Sequence, residues 1–145
     1  MKSFLTFFEQ AEDQSQVQPQ RVNDSIVTSF GRHNPPHAGH GLALDKAHDI
    51  AMNEGADERF YTSQSLDPKK NPLPQEVKLK FLKKMFPRHE SKWDDDKNVK
   101  TYLQSLQKAH KDGYKNAHVV VGGDRVEEMG NLARKYNGNL YDFQN

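Results

Sequence analysis

Three imidazoles and a guanidinium crowd into one short loop, Gly31-Arg32-His33-Asn34-Pro35-Pro36-His37-Ala38-Gly39-His40. Gly31 lets a ligand approach the backbone closely. Pro35 and Pro36 stiffen the turn and keep a helix from running through His33. His37 and His40 fall where a helical pattern begins, so an anion held there would also meet unpaired N–H groups at a helix N-terminus. Such a setting suits a phosphorus centre, whose oxygens change charge during group transfer and need hydrogen-bond donors rather than a protein nucleophile. The competing reading is a polar loop of idle histidines, or a metal bound by them. The double proline and the Gly-His ending favour phosphate.

Two further loops carry compatible groups. Ser63-Gln64-Ser65 leads to Lys69, Lys70 and Asn71. Two ammonium groups can lie over a polyphosphate, and Asn71 can recognise a polar group of a substrate. Alone, this stretch would read as a solvated surface loop. Gly122-Gly123-Asp124-Arg125 sets a carboxylate after a glycine turn, where it can hold sugar hydroxyls or cap the next helix. Asp94-Asp95-Asp96 reads as a helix cap with solvated neighbours, the alternative being Mg²⁺ ligation. Trp93 beside it reads as a core residue rather than a base-stacking one. No residue is assigned as a metal ligand.

These loops need elements to position them. The pattern predicts strands over 25–30, 59–62, 89–93, 117–121 and 140–143. It predicts helices over about 39–53, 74–86, 97–111 and 125–136. Leu42, Ala43, Ala47, Ile50 and Ala51 form the expected inner face of the first helix. Val77, Leu79, Phe81, Leu82, Met85 and Phe86 are the apolar positions of the second, which Pro87 ends. Strands alternating with helices imply a parallel sheet covered on both faces. The loops after Phe30, Thr62 and Val121 all leave the carboxyl ends of strands, the edge where ligands bind in such folds.

Composition bounds the rest. The 145 residues suffice for one packed domain, yet only 34% are hydrophobic and 28% are charged, so the core must be small. Net charge is +1, which argues against a general nucleic-acid coat. There is no cysteine, hence neither a disulfide nor a thiolate metal site. No apolar run approaches the roughly 20 residues of a membrane span, and no signal-peptide pattern opens the chain. A cytoplasmic protein is expected. Residues 1–24 read as a separate section: a short helix with Phe4, Leu5, Phe7 and Phe8 on one face, then a glutamine-rich linker. A helix that short needs a partner to dock on. Residues 25–145 form the main domain.

The first loop resembles the H-x-G-H signature of the nucleotidylyltransferase superfamily. More narrowly, it is similar to the G-R-F-x-P-x-H-x-G-H form of archaeal-type nicotinamide mononucleotide adenylyltransferases and their tailed-bacteriophage, cytidylyltransferase-like relatives. His33 stands where that form has phenylalanine. The second loop resembles the family's S-x-x-S and N-P-F-T-x-x-E-R segment, with Asp67-Pro68-Lys69-Lys70-Asn71-Pro72-Leu73 closest to the phage form. The third resembles its G-x-D turn, followed by the phage-type Arg125-Val126. The three motifs occur in the family's order.

The resemblance implies a Rossmann-like, three-layer α/β sandwich with a mostly parallel five-stranded sheet. It implies ATP or CTP as donor, a phosphorylated, nicotinamide mononucleotide-like acceptor, Mg²⁺ with the triphosphate, and room for a homo-oligomer. It makes His37, His40 and Arg32 catalytic. Phe30, Gly31, Arg32, His37, Gly39, His40, Gly122, Asp124 and Arg125 would bind the nucleotide, and Ser63, Gln64, Ser65, Lys69, Lys70 and Asn71 the acceptor. The family's later I-S-x-S-x-x-R/K segment, which grips the β- and γ-phosphates, has no counterpart here. A shortened form, a wall supplied by another subunit, or weak or absent activity would each follow. The alternative is a non-catalytic nucleotide-binding or virion-associated protein. Met1-Lys2-Ser3-Phe4-Leu5-Thr6-Phe7-Phe8-Glu9 resembles the starts of phage proteins carried into capsids. Host-cell cytoplasm or virion would then be the location.

Overall fold

The computed structural model describes residues 21–33, 36–64, 73–122 and 125–144. The expected N-terminal helix and nearly all of its linker lie outside them. The order is β1 (Ser25–Gly31), α1 (Ala38–Glu54), β2 (Asp57–Thr62), α2 (Gln75–Met85), a 3₁₀ segment (Pro87–Lys92), α3 (Tyr102–Lys111), β3 (Asn116–Val120) and α4 (Val126–Tyr136). No helix among the described residues is long and apolar enough to cross a membrane.

The sheet has three strands in the order β2-β1-β3, both pairings parallel. The β-branched run Ile26-Val27-Thr28 makes β1 a natural central strand, flanked on both sides and buried on both faces. Its side chains alternate between two cores. Ile26 joins Tyr102, Leu106, Ala109 and Met129 on one face, and Val27 joins Leu44, Ala47, Phe60 and Leu82 on the other. Helices therefore cover both faces of a mixed α/β domain. Just ahead of β1, the amides of Val22 and Asn23 donate to the Asp57 carboxylate at 2.6 and 3.1 Å, pinning the chain entering the sheet.

Two of the five expected strands do not form. Residues 87–92 wind into a 3₁₀ segment because Pro87 presets a helical φ at its first position. Only Trp93 reaches the sheet, through a single parallel bridge to Phe60, where Asp94 N donates to Phe60 O at 2.9 Å. Residues 140–143 fold back over α4 after a left-handed turn at Gly138 (φ 86°). There the Tyr141 hydroxyl donates to Ala133 O at 2.6 Å, and Tyr141 and Phe143 bury their rings. Their aromatic character serves packing, not a ladder.

The helices also shift. α1 buries Gly41, Leu44, Ala47 and Ala51, while Leu42 is 73% exposed. Gly41 faces inward because a Cβ there would lie 2.6 Å from the Phe86 ring. α2 buries Gln75, Lys78, Leu79 and Leu82 and leaves Phe81 and Met85 exposed. α3 starts five residues later than 97. Thr101 and Gln104 form a reciprocal capping box, the Thr101 hydroxyl accepting from Gln104 N at 3.2 Å and Gln104 Oε1 accepting from Thr101 N at 3.1 Å. None of the aspartates at 94–96 caps this helix. Asp94 is fully buried and accepts from the Tyr61 hydroxyl at 2.8 Å and Lys108 Nζ at 2.6 Å. Trp93 is buried, as expected of a core residue.

Candidate functional site

Because all three strands run parallel, the loops after β1, β2 and β3 leave one edge of the sheet. β1 lies at its centre, with the next strand in sequence on one side and β3 on the other. The strand order thus reverses at β1, the position where open α/β sheets characteristically bind ligands. His37 and His40 sit at the carboxyl side of this strand, at the start of α1.

The two histidines build that helix end themselves. His37 is the N-cap, in extended conformation, and its Nδ1 accepts from Gly39 N at 3.1 Å. His40 Nδ1 accepts from His37 N at 3.0 Å. This is a capping box made of imidazoles in place of the usual hydroxyl and carboxamide. It has a chemical consequence. With each Nδ1 held as an acceptor, the neutral ring carries its proton on Nε2. The rings stack with centroids 3.8 Å apart and planes 28° from parallel, and neither Nε2 is hydrogen-bonded among the described residues. Two N–H donors on neighbouring rings result. Partial burial, and then the neighbouring His37, hold His40 below the ordinary imidazole pKa, which keeps it neutral. Gly39 is required by this arrangement, since a Cβ there would come within 2.9 Å of His37 Cε1.

His33 plays a packing role. It is 7% exposed, in a left-handed conformation (φ 50°). Its ring meets His40 edge-on at 4.6 Å and Trp93 at 5.5 Å, and its Nδ1 shares a hydrogen with Thr62 Oγ1 at 3.0 Å. The ring also fills the space over Gly31, where a Cβ would lie 2.8 Å from His33 Cε1. Gly31 therefore makes room for an imidazole of the protein itself. Burial above all, then the nearby His40, Lys78 and His37, lowers the His33 pKa to about 3.

Sequence reasoning missed Lys78. It is a fully buried ammonium whose Nζ donates to Arg32 O at 2.7 Å and to Ser63 Oγ at 2.9 Å. It thus ties the first loop to the second and brings a positive charge under both. Burial, then the Arg32 guanidinium, lowers its pKa to about 8, so it is charged at neutral pH. The signal was present: Gln75, Lys78, Leu79 and Leu82 share the i, i+3, i+4, i+7 stripe, so a lysine occupies a core position. Replacing Lys78 with Met should lower unfolding free energy by about 1–3 kcal/mol, because the Arg32 carbonyl and the buried Ser63 hydroxyl lose this donor. An unchanged urea midpoint would show that the bridge is dispensable.

Arg32 is exposed. Phe30 is half-buried and stacks on Tyr61 at 6.0 Å. Ser63 N donates to Gly31 O at 2.9 Å, holding the second loop against the first. The Gln64 amide donates to Val99 O at 2.8 Å and Asp96 O at 3.2 Å, so it braces the turn before α3 instead of facing a ligand. Gly122 is exposed, its carbonyl accepting from Arg125 N at 2.9 Å, and Arg125 approaches Glu128 at 3.7 Å. Ser65, Lys69, Lys70, Asn71 and Asp124 lie outside the described residues. A separate groove of about 700 Å³ runs beside β3, lined among others by Val119, Val121, Val126, Met129 and Tyr141, and none of the described residues of the histidine loop lines it.

No family model matches this chain. Comparison with curated proteins and with solved structures returns no match either.

Proposed function

We propose that this chain is a nucleotidylyltransferase on a Rossmann-like sheet, transferring a nucleoside monophosphate from ATP or CTP to a phosphorylated acceptor with release of pyrophosphate. The observation that carries this reading is the stacked His37–His40 pair, whose capping box leaves both Nε2–H groups as donors at the strand-order reversal. An oxygen of the acceptor phosphate attacks the α-phosphorus in line. The bond from the α-phosphorus to the bridging oxygen breaks, and pyrophosphate leaves with the electron pair. The two Nε2–H groups hydrogen-bond the non-bridging oxygens as charge shifts onto them. Arg32 and Lys78 supply positive charge beside them, and Lys69 and Lys70 are proposed to extend it over the polyphosphate.

Mg²⁺ belongs to the substrate in this scheme. Around the loop the described residues offer imidazoles and cations, and Asp94 and Asp96 are held by Lys108 at 2.6 and 3.0 Å. The ion would arrive on the triphosphate oxygens. Gly122 and Asp124 are proposed to meet the ribose, and a nicotinamide mononucleotide-like molecule is the first acceptor to try.

A pyrophosphate-release screen tests the reading, with four nucleoside triphosphates against a panel of phosphorylated acceptors. Release that requires ATP or CTP, an acceptor and Mg²⁺ is the expected result. Calorimetric binding of a triphosphate without release from any pair would assign a non-catalytic nucleotide-binding role. Absence of binding would sink both.

A further inference from the structure

A second cluster of ligand-type side chains lies away from the loop edge. His48 of α1, Glu58 of β2 and His89 of the 3₁₀ segment each place one ligand atom within 4.8 Å of the other two. Glu58 is the second residue of β2, four residues before Thr62 at the loop edge. At about 3.3 Å per residue this is roughly 13 Å along the strand, so the cluster is a place distinct from the imidazole pair.

We propose that His48, Glu58 and His89 bind one borderline divalent transition cation, with Zn²⁺ as the type ion. Two imidazoles and one carboxylate are the donor set such ions take, whereas Mg²⁺ and Ca²⁺ favour all-oxygen sites. Three protein ligands leave the fourth tetrahedral position to water. Two ligands are preset by burial: Glu58 is 6% exposed and His89 2%. The His48 side chain, 31% exposed, opens the cluster to solvent and gives an ion its path in.

The surroundings fit the assignment. His48 Nδ1 lies 3.1 and 3.2 Å from the two Glu58 oxygens, so imidazole and carboxylate already converge. His89 Nε2 lies 2.8 Å from Asp45 Oδ1, the kind of carboxylate partner that characteristically orients metal-ligating imidazoles. Lys92 Nζ stands 3.9 Å from Glu58 Oε2 on a side chain 37% exposed. Its flexible stem lets it move to solvent when a cation takes its place. A buried carboxylate needs one good partner to be satisfied. Here His48 already meets the carboxylate at 3.1 Å, and a second imidazole, His89, places a ligand atom within 4.8 Å of both, which is more than satisfaction requires. The ion would clip the 3₁₀ segment to β2, just ahead of Trp93, whose ring meets His33.

The test is titration of Zn²⁺ alone into the chelator-stripped full chain, followed by calorimetry and thermal melting. The expected result is one ion bound with a raised melting temperature, in the wild type and in His37→Asn alike. Both His48→Gln and Glu58→Gln should weaken binding by at least about 10-fold and lose the thermal shift. His48→Gln changes a partly exposed residue, so it keeps the question answerable if Glu58→Gln folds poorly. Wild-type protein that binds no Zn²⁺, binding that survives in His48→Gln unchanged, or binding lost in His37→Asn would each overturn the proposal.

Discussion

Replacing His37 with asparagine should lower pyrophosphate release by about 10²–10³-fold, the usual loss when one preorganised donor to a developing oxyanion is removed, with little change in melting temperature. The two halves of that expectation come from two jobs of one side chain. As N-cap, His37 accepts a backbone N–H, and asparagine is among the best replacements for that task. As an Nε2–H donor, the imidazole has no counterpart in asparagine at the same reach. Alanine removes both functions, so His37→Ala should show the same kinetic loss plus about 1 kcal/mol of lost stability. The pair of variants separates helix termination from transfer chemistry. Turnover retained in His37→Asn at more than half the wild-type rate would remove the imidazole pair from the mechanism.

Acid should unfold the domain largely through His33. Its pKa is about 3 in the folded chain against 6.5 unfolded. Between those values the unfolded chain binds the proton and the native one does not, so stability is fullest above pH 6.5 and falls as pH drops toward 3. At 1.36 kcal/mol per pH unit the whole shift amounts to about 5 kcal/mol, of which about 2 kcal/mol is lost between pH 6.5 and 5. In that upper window most carboxylates are still ionised, so the imidazoles dominate. His40, also lowered, adds in the same direction. Urea midpoints across pH 6.5–5 for wild type and His33→Phe provide the measurement. The phenylalanine variant keeps a ring against Trp93 and removes the largest titrating contribution, so its midpoints should fall much less over this range, His40 supplying the remaining slope. Equal slopes in the two proteins would clear His33 of the effect.

Much of the secondary structure around the candidate site was legible. The Ile26-Val27-Thr28 run, the proline-stiffened loop and the histidines at a helix start are local signals. They predicted β1, the loop edge and the head of α1 closely. What failed was decided by partners distant in sequence. Trp93 and Tyr141 have strand-like neighbours, but their rings pack into cores while their backbones make only single bridges, so three strands stand where five were expected. α1 rotated because Gly41 accommodates Phe86, a contact no periodicity reveals. Gln64 looked like a ligand group and instead braces a turn whose carbonyls come from residues 96 and 99. Lys78 was hidden among helical lysines, although its place on the Leu79–Leu82 stripe distinguished it. His48, Glu58 and His89 carry no motif because their convergence exists only after folding.

Gly31 and His33 have a further consequence for how this sequence can change over generations. The imidazole occupies the volume that any side chain at 31 would need, and it is hemmed in by Thr62, His40 and Trp93. Position 31 does not drift independently of position 33. A residue larger than glycine at 31 becomes admissible only after 33 has shrunk or turned away, so one mutational order is open and the reverse is closed. Substitutions surveyed one at a time would therefore rate Gly31 as immutable when it is only conditional on its neighbour.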